Sequence, residues 1–419
     1  MPSSPLKSLL HLGLTRSVVH VAERGAALAL PGIRTASFIV DTCWNKINGN
    51  MDSWKVPATE PSVSLAAKVA VDETFRALLV AMKPPPSHEE FRRIRAEFDT
   101  ATSLYETKGW ADEPALYHRT PPRLDRVQLS RQRVFGYPYD HLQFPSEYEP
   151  RPEEPGRERW LSRHANRRAH AWLLRHNDGP RPWLVCLHGY RMGIPTFDLV
   201  AFRARWLHER LGLNVLIPVL PLHGPRKANH RSGEGYISAD SLDTVFAVSQ
   251  AIWDIRRLLT WVRAQQPLAT GVYGVSLGAY HASLLSGLDA GLACVIAGIP
   301  ASNFAELARE HVTPFLRSTL DGMGLRWSEV HKLFRVISPL AVTPRVAHGG
   351  RFIFAGLADR LVPRSQVHQL WHHWERPRVH WYQGGHVSYN WEPSVKRFVE
   401  GALESSGLLV SPRVRSIAA

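Results

Sequence analysis

Gly274-Val275-Ser276-Leu277-Gly278, followed by Ala279, is the most chemically pointed stretch of this 419-residue sequence. It follows a short apolar run and precedes a helical pattern over 279–288, a strand–turn–helix setting that lifts a serine onto a strained turn. Small flanking residues let the strand and helix backbones approach closely. Such a turn exposes Ser276 Oγ beyond the C-terminal edge of a sheet. It also aims the Leu277 backbone N–H, at the helix start, towards any oxyanion formed there. The plainer alternative for Gly-x-Ser-x-Gly is an ordinary glycine turn, so the setting carries the hypothesis.

A serine needs a base, and the base needs an orienting acid. The apolar run Phe352–Ala355 leads into Gly356-Leu357-Ala358-Asp359-Arg360-Leu361-Val362-Pro363, which puts Asp359 on the loop after a parallel strand. The next run, Val379–Tyr382, leads into Gly384-Gly385-His386. Asp359 and His386 are therefore expected at the same sheet edge as Ser276.

Other polar residues have plainer readings. His380 falls inside a strand, and His372-His373 fall on the preceding helix. His281 could line a pocket, but packing accounts for it. Asp289 and Asp321 border helical patterns, where capping and solvation suffice. His223-Gly224 follows a neighbouring strand and shapes a pocket wall. Arg191 and Arg360 flank the expected site and could meet an acidic substrate group, although solvated arginines are the commoner case.

The elements that must position these residues change character near Pro121-Pro122. Before it the patterns are helical. Residues 62–82 carry a 3.6-period apolar stripe ending at Pro84-Pro85-Pro86, and Ser87 with Glu90 has capping-box spacing before the next helix. Residues 6–30 and 35–47 are apolar-rich and helical, separated by Pro31-Gly32. After Pro122, Val127–Phe135 and Ala169–Arg175 alternate like half-buried strands. Continuous apolar runs then recur at Trp183–Leu187, Asn214–Leu220, Gly271–Gly274, Cys294–Ile299, Phe352–Ala355 and Val379–Tyr382, interleaved with helices such as Ser238–Ala264. Such runs imply a parallel sheet covered on both faces, with the alternating strands as its antiparallel edge.

This divides the chain into a helical N-terminal extension (1–125), a catalytic domain (126–405) and a tail (406–419). Helical patterns within 301–345 read as an inserted cap, or as a lengthened crossover.

With these parts in place, residues 126–405 resemble the α/β-hydrolase superfamily through the nucleophile elbow, the Asp359-x-x-Val362-Pro363 loop and Gly384-Gly385-His386. The resemblance implies a mostly parallel, doubly wound α/β sheet with an antiparallel N-terminal edge, a small helical insertion and a helical N-terminal extension. By the same resemblance Ser276 is the nucleophile, His386 the general base and Asp359 its orienter. The loop His188-Gly189-Tyr190-Arg191 would supply a second oxyanion donor, the Tyr190 N–H beside that of Leu277. It departs from the His-Gly-Gly-Gly form of many esterases. The stretch 220–226 also resembles poorly characterised members with a helical N-terminal extension.

Composition bounds the rest. A hydrophobic fraction of 44% against 21% charged supports a large core. Cys43, Cys186 and Cys294 fit neither a disulfide scaffold nor a metal-ligand spacing, so a reducing, cytoplasmic setting is expected. Neither a signal peptide nor a membrane-spanning run is expected. The net charge of +14 lies mainly in residues 126–419, with 36 basic and 23 acidic side chains. These arginines are scattered, which argues against a nucleic-acid patch and leaves room for peripheral contact with anionic lipid.

The leading expectation is a serine hydrolase cleaving a carboxylic ester or thioester, on a small-molecule or lipid substrate, with no metal or organic cofactor. Peptidase or acyltransferase chemistry would use the same residues. A non-catalytic binding protein on this fold is the alternative of a different class.

Overall fold

Alternation along strand Trp183–Leu187 shows how the protein is layered. Trp183, Val185 and Leu187 join one apolar cluster, while Leu184 and Cys186 join another on the opposite face. Successive side chains of a strand point to opposite faces, so a run apolar at every position needs cover on both sides. The computed structural model describes residues 30–48, 56–81, 86–228, 230–311, 317 and 326–409. The expected segments at 6–29, Pro84-Pro85, Asp321 and the tail beyond 409 lie outside the described residues.

Among the described residues one sheet has nine strands: β1 (Gln128–Val134), β2 (Tyr137–Pro145), β3 (Arg168–Leu174), β4 (Trp183–Leu187), β5 (Asn214–Val219), β6 (Thr270–Val275), β7 (Cys294–Gly298), β8 (Arg351–Gly356) and β9 (Arg378–Tyr382). Their spatial order is β1-β2-β3-β5-β4-β6-β7-β8-β9. Pairs from β1 to β5 along that order are antiparallel, and pairs from β5 to β9 are parallel. This is the α/β-hydrolase sheet, doubly wound and mostly parallel, with its antiparallel edge at the N-terminal side.

The edge differs from expectation in two ways. Strand β2 is an addition, and its Pro138 and Pro145 argue against a strand when read alone. It forms because the β1–β2 turn at Phe135-Gly136 adopts positive φ at both residues, 49° and 76°, as a tight hairpin requires. Nor are the two strands read from alternation half-buried: β1 is exposed nearly throughout, whereas β3 is buried from Ala169 onward.

The helices used below are α1 (Pro31–Ile47), α2 (Val63–Ala81), α3 (His88–Thr107), α4 (Ser241–Ala264), α5 (Leu277–Leu288), α6 (Phe304–His311), α7 (Trp327–Phe334), α8 (Arg364–His373) and α9 (Pro393–Ser405). Pro31 opens α1 at its first turn, where a missing N–H costs nothing, so this helix begins four residues before the expected 35–47 segment. Ser87 and Glu90 form the expected reciprocal capping box at the start of α3. Helices α4, α5 and α8 contribute to one face cluster of the sheet, and α9 to the other. Helix α2 adds a small third cluster, where Leu65 and Val69 meet Ala358. No helix among the described residues is long and apolar enough to cross a membrane.

Candidate active site

Ser276 occupies the sharp turn between β6 and α5 with φ 55° and ψ −117°, a conformation L-residues seldom adopt. The glycines around it explain how the turn closes. A Cβ on Gly278 would fall 1.8 Å from Leu187 O, and one on Gly274 would fall 2.2 Å from Gly278 O. The Ser276 N–H donates to Gly298 O at 2.9 Å, tying the turn to β7. Leu277 then begins α5, and its N–H belongs to the uncompensated positive end of that helix.

The structure brings Asp359 and His386 to this turn. His386 Nε2 lies 2.8 Å from Ser276 Oγ, and His386 Nδ1 lies 2.7 Å from Asp359 Oδ2. The carboxylate fixes the tautomer: Nδ1–H donates to Asp359, which leaves the Nε2 lone pair to accept the serine proton. Asp359 is itself held, its Oδ1 accepting the Leu361 and Val362 N–H groups at 2.9 and 2.8 Å. Burial disfavours the charged imidazole, but the Asp359 charge and hydrogen bond, with the charge of Asp72, outweigh it. The His386 pKa is raised.

Tyr190 lies on the turn after β4. A Cβ on the preceding Gly189 would lie 3.6 Å from Ser276 Cβ, so this turn borders the elbow. The turn is held from behind. His188 Nε2 accepts the Leu220 N–H at 3.1 Å, so its Nδ1–H donates to Gly189 O at 2.9 Å. Arg191 takes φ 70°, and its guanidinium lies over the Tyr190 ring.

Several neighbouring residues turn out to be structural. His281 is fully buried between Tyr236 Oη and Leu277 O, at 2.6 Å from each, and burial pulls its pKa down to about 4. His223 is buried beside His188. Asp289 ends α5 and pairs with Arg263. Arg360 is paired, though part of its side chain still meets water: its Nε donates to Glu73 of α2 at 2.8 Å.

One residue of the N-terminal segment was not anticipated. Asp72 of α2 is completely buried. Its Oδ2 accepts the N–H groups of His386 at 2.6 Å and Arg360 at 3.1 Å, and its Oδ1 accepts that of Val387 at 3.0 Å. Burial first, then the Asp359 charge, push its pKa up to about 6 against the opposing pull of His386 and these N–H donors. A sequence signal existed. Asp72 continues the spacing of buried Leu65 and Val69, so a carboxylate stands where the helix should present an apolar side chain.

Ser276 and His386 open into a cavity of about 1360 Å³. Its walls include Phe75 and Leu79 of α2, Ile94 of α3, Leu307 of α6, and Val330 and Phe334 of α7. Helices α2, α3, α6 and α7 thus all border the space above the elbow.

The chain is 41% identical over 395 residues to the uncharacterized protein Rv2627c of Mycobacterium tuberculosis (strain ATCC 25618 / H37Rv), an alignment covering 92% of each chain. Identity and coverage are the same for the uncharacterized protein MT2702 of strain CDC 1551 / Oshkosh. The chain belongs to the family of these mycobacterial proteins and has the α/β-hydrolase fold. No protein-family model matches this chain. Among solved structures it is similar to acetyl xylan esterase 1 from Thermoanaerobacterium sp. JW/SL YS485, at 16% identity and TM-score 0.49, covering 72% of this chain and 93% of that one. It is also similar to the Pyrococcus furiosus esterase Pf2001, at 15% identity and TM-score 0.41, covering 68% and 98%. In this chain the elbow, the Asp359 loop and the His386 loop lie after β6, β8 and β9, at one edge of the sheet.

Proposed function

We propose that this α/β-hydrolase is a serine hydrolase that cleaves a carboxylic ester or thioester through an acyl-enzyme. The unbroken Ser276–His386–Asp359 hydrogen-bond chain is the observation that carries the reading. Ser276 Oγ attacks the carbonyl carbon as its proton passes to His386 Nε2, and Asp359 stabilises the imidazolium. The Leu277 and Tyr190 N–H groups receive the oxyanion. His386 then protonates the departing alcohol or thiol. In the second half, water gives a proton to His386, attacks the acyl carbon and releases the acid while Ser276 recovers its proton. An amine leaving group would make the same steps a peptidase, and an alcohol acceptor in place of water a transferase.

A second reading, action on lipid esters at an anionic interface, has a specific observation in its favour. Phe135, Phe197, Val200 and Trp391 are 87%, 59%, 56% and 62% exposed, and all four border the cavity. Apolar side chains left in water around a site mark a surface for contact.

A fluorophosphonate probe tests the main reading. Wild-type protein labels and Ser276→Ala does not. Labelling of both, or of neither, overturns it. An acyl-length series of oxygen esters, thioesters and amides then assigns the substrate class.

A further inference from the structure

The serine-hydrolase reading uses one carboxylate, yet a second is buried behind the same histidine. We propose that Asp72 is a positioning residue: from helix α2, outside the sheet, its carboxylate clasps the loops bearing Asp359 and His386 and holds the imidazole in line with Ser276. This rests on the reading of Ser276 as nucleophile and adds to it a residue of the N-terminal segment.

The geometry is specific to those two loops. Arg360, whose N–H reaches Asp72 Oδ2, directly follows Asp359. His386 and Val387, which reach the two oxygens from the other loop, are the histidine itself and its neighbour. A single rigid acceptor therefore fixes the spacing between acid and base, and a loop misplacement of about 1 Å is enough to slow a reaction strongly. The fit is close on the far side as well. A Cβ on Gly385 would lie 2.5 Å from Asp72 Oδ2, so the glycine before His386 makes room for the carboxylate.

Helix α2 is anchored on both sides of this contact. Lys68 Nζ donates to Gln383 O at 3.1 Å and pairs with Glu392, while Glu73 receives Arg360 Nε at 2.8 Å. The charged groups facing Asp72 are Asp359 from the loop after β8 and His386 from the loop after β9, while Arg360 reaches it through its backbone N–H and turns its guanidinium to Glu73. The neighbouring Glu73 takes up Arg34, Arg76 and Arg360. As an anion beside His386, Asp72 also favours the imidazolium that forms when Ser276 is deprotonated.

Asp72→Asn keeps the size and removes the charge. It is expected to slow fluorophosphonate labelling of Ser276 about 10-fold or more. It is also expected to move the acid limb of the labelling rate to lower pH, because the imidazolium loses an anionic neighbour. Gly385→Ala, which displaces the carboxylate without altering the charges, is expected to produce both changes too. It decides the matter if Asp72→Asn does not fold, as judged by circular dichroism and thermal melting. Wild-type rate and limb in the folded variant overturn the proposal and leave the serine-hydrolase reading standing, as does slower labelling with an unmoved limb. Absence of labelling in the wild type overturns the underlying reading, and this one with it.

Discussion

Glu73 Oε1 accepts a hydrogen bond from Arg360 Nε at 2.8 Å, which joins the N-terminal helix α2 to the residue after Asp359. Glu73 is fully buried, and Arg34 and Arg76 approach it at 3.7 and 3.5 Å. The three guanidiniums keep part of their hydration, each 23–36% exposed, so the cluster is worth less than a wholly dry one. Glu73→Gln leaves them crowded without an anion and is expected to lower stability by about 2 kcal/mol. Urea unfolding measures this, and an unchanged midpoint would mean the arginines are already satisfied by water.

Gly278→Ala places a methyl 1.8 Å from Leu187 O, backbone against backbone, where no side-chain rotation brings relief. The elbow has to open. Loss of labelling at Ser276 is expected together with a stability loss of about 2 kcal/mol or more. Retention of full labelling would show that β4 and α5 can separate without moving the serine.

Asp359→Asn is expected to lower turnover about 10⁴-fold, since the amide no longer holds the Nδ1–H tautomer. His386→Ala is expected to lose a similar factor, and the double variant little more, because the residues act as one unit. Stopped assays with the best ester of the acyl-length series measure both. Near-normal turnover in His386→Ala would reassign the base.

Stability should fall as pH drops below about 6.5, the ordinary histidine value. Burial holds His118 and His170 at about 3 and His281 at about 4, and it also lowers His188 and His223. The folded chain refuses protons that the unfolded chain accepts. The stability these groups supply is therefore complete above about pH 6.5 and is lost as pH falls towards their folded values. Melting temperatures from pH 7.5 to 4 test this, and His281→Gln should flatten the slope. A melting temperature independent of pH across that range would contradict the assignment.

The apolar rim predicts vesicle binding. Protein mixed with anionic phospholipid vesicles at low salt should sediment, and Phe197→Asp with Trp391→Asp should reduce that fraction several-fold. Binding abolished by high salt but unaffected by these substitutions would attribute it to the net charge of +14 alone.

Local chemistry decided much of this protein before any fold was visible. Ser276 sits in the one setting where small residues let a strand and helix meet, and Asp359 and His386 each follow an apolar run. Parallel strands must deliver the loops at their C-terminal ends to a common edge, so those three residues could be paired by strand logic. The α3 capping box is local for the same reason. Strand β2 was hidden because its prolines speak against a strand until pairing with β1 and β3 shows them near its two ends.

What only the tertiary structure decided is the part played by residues 56–107. A 3.6-residue period shows that a helix has a buried face, but not what that face meets. Asp72 interrupts the apolar face of α2, but its partners emerge only when α2 is seen lying across two loops that are about 300 residues away in sequence. The cavity walls follow the same rule, because Phe75, Ile94 and Val330 come to line one space through packing between helices, whose pairing no local pattern encodes.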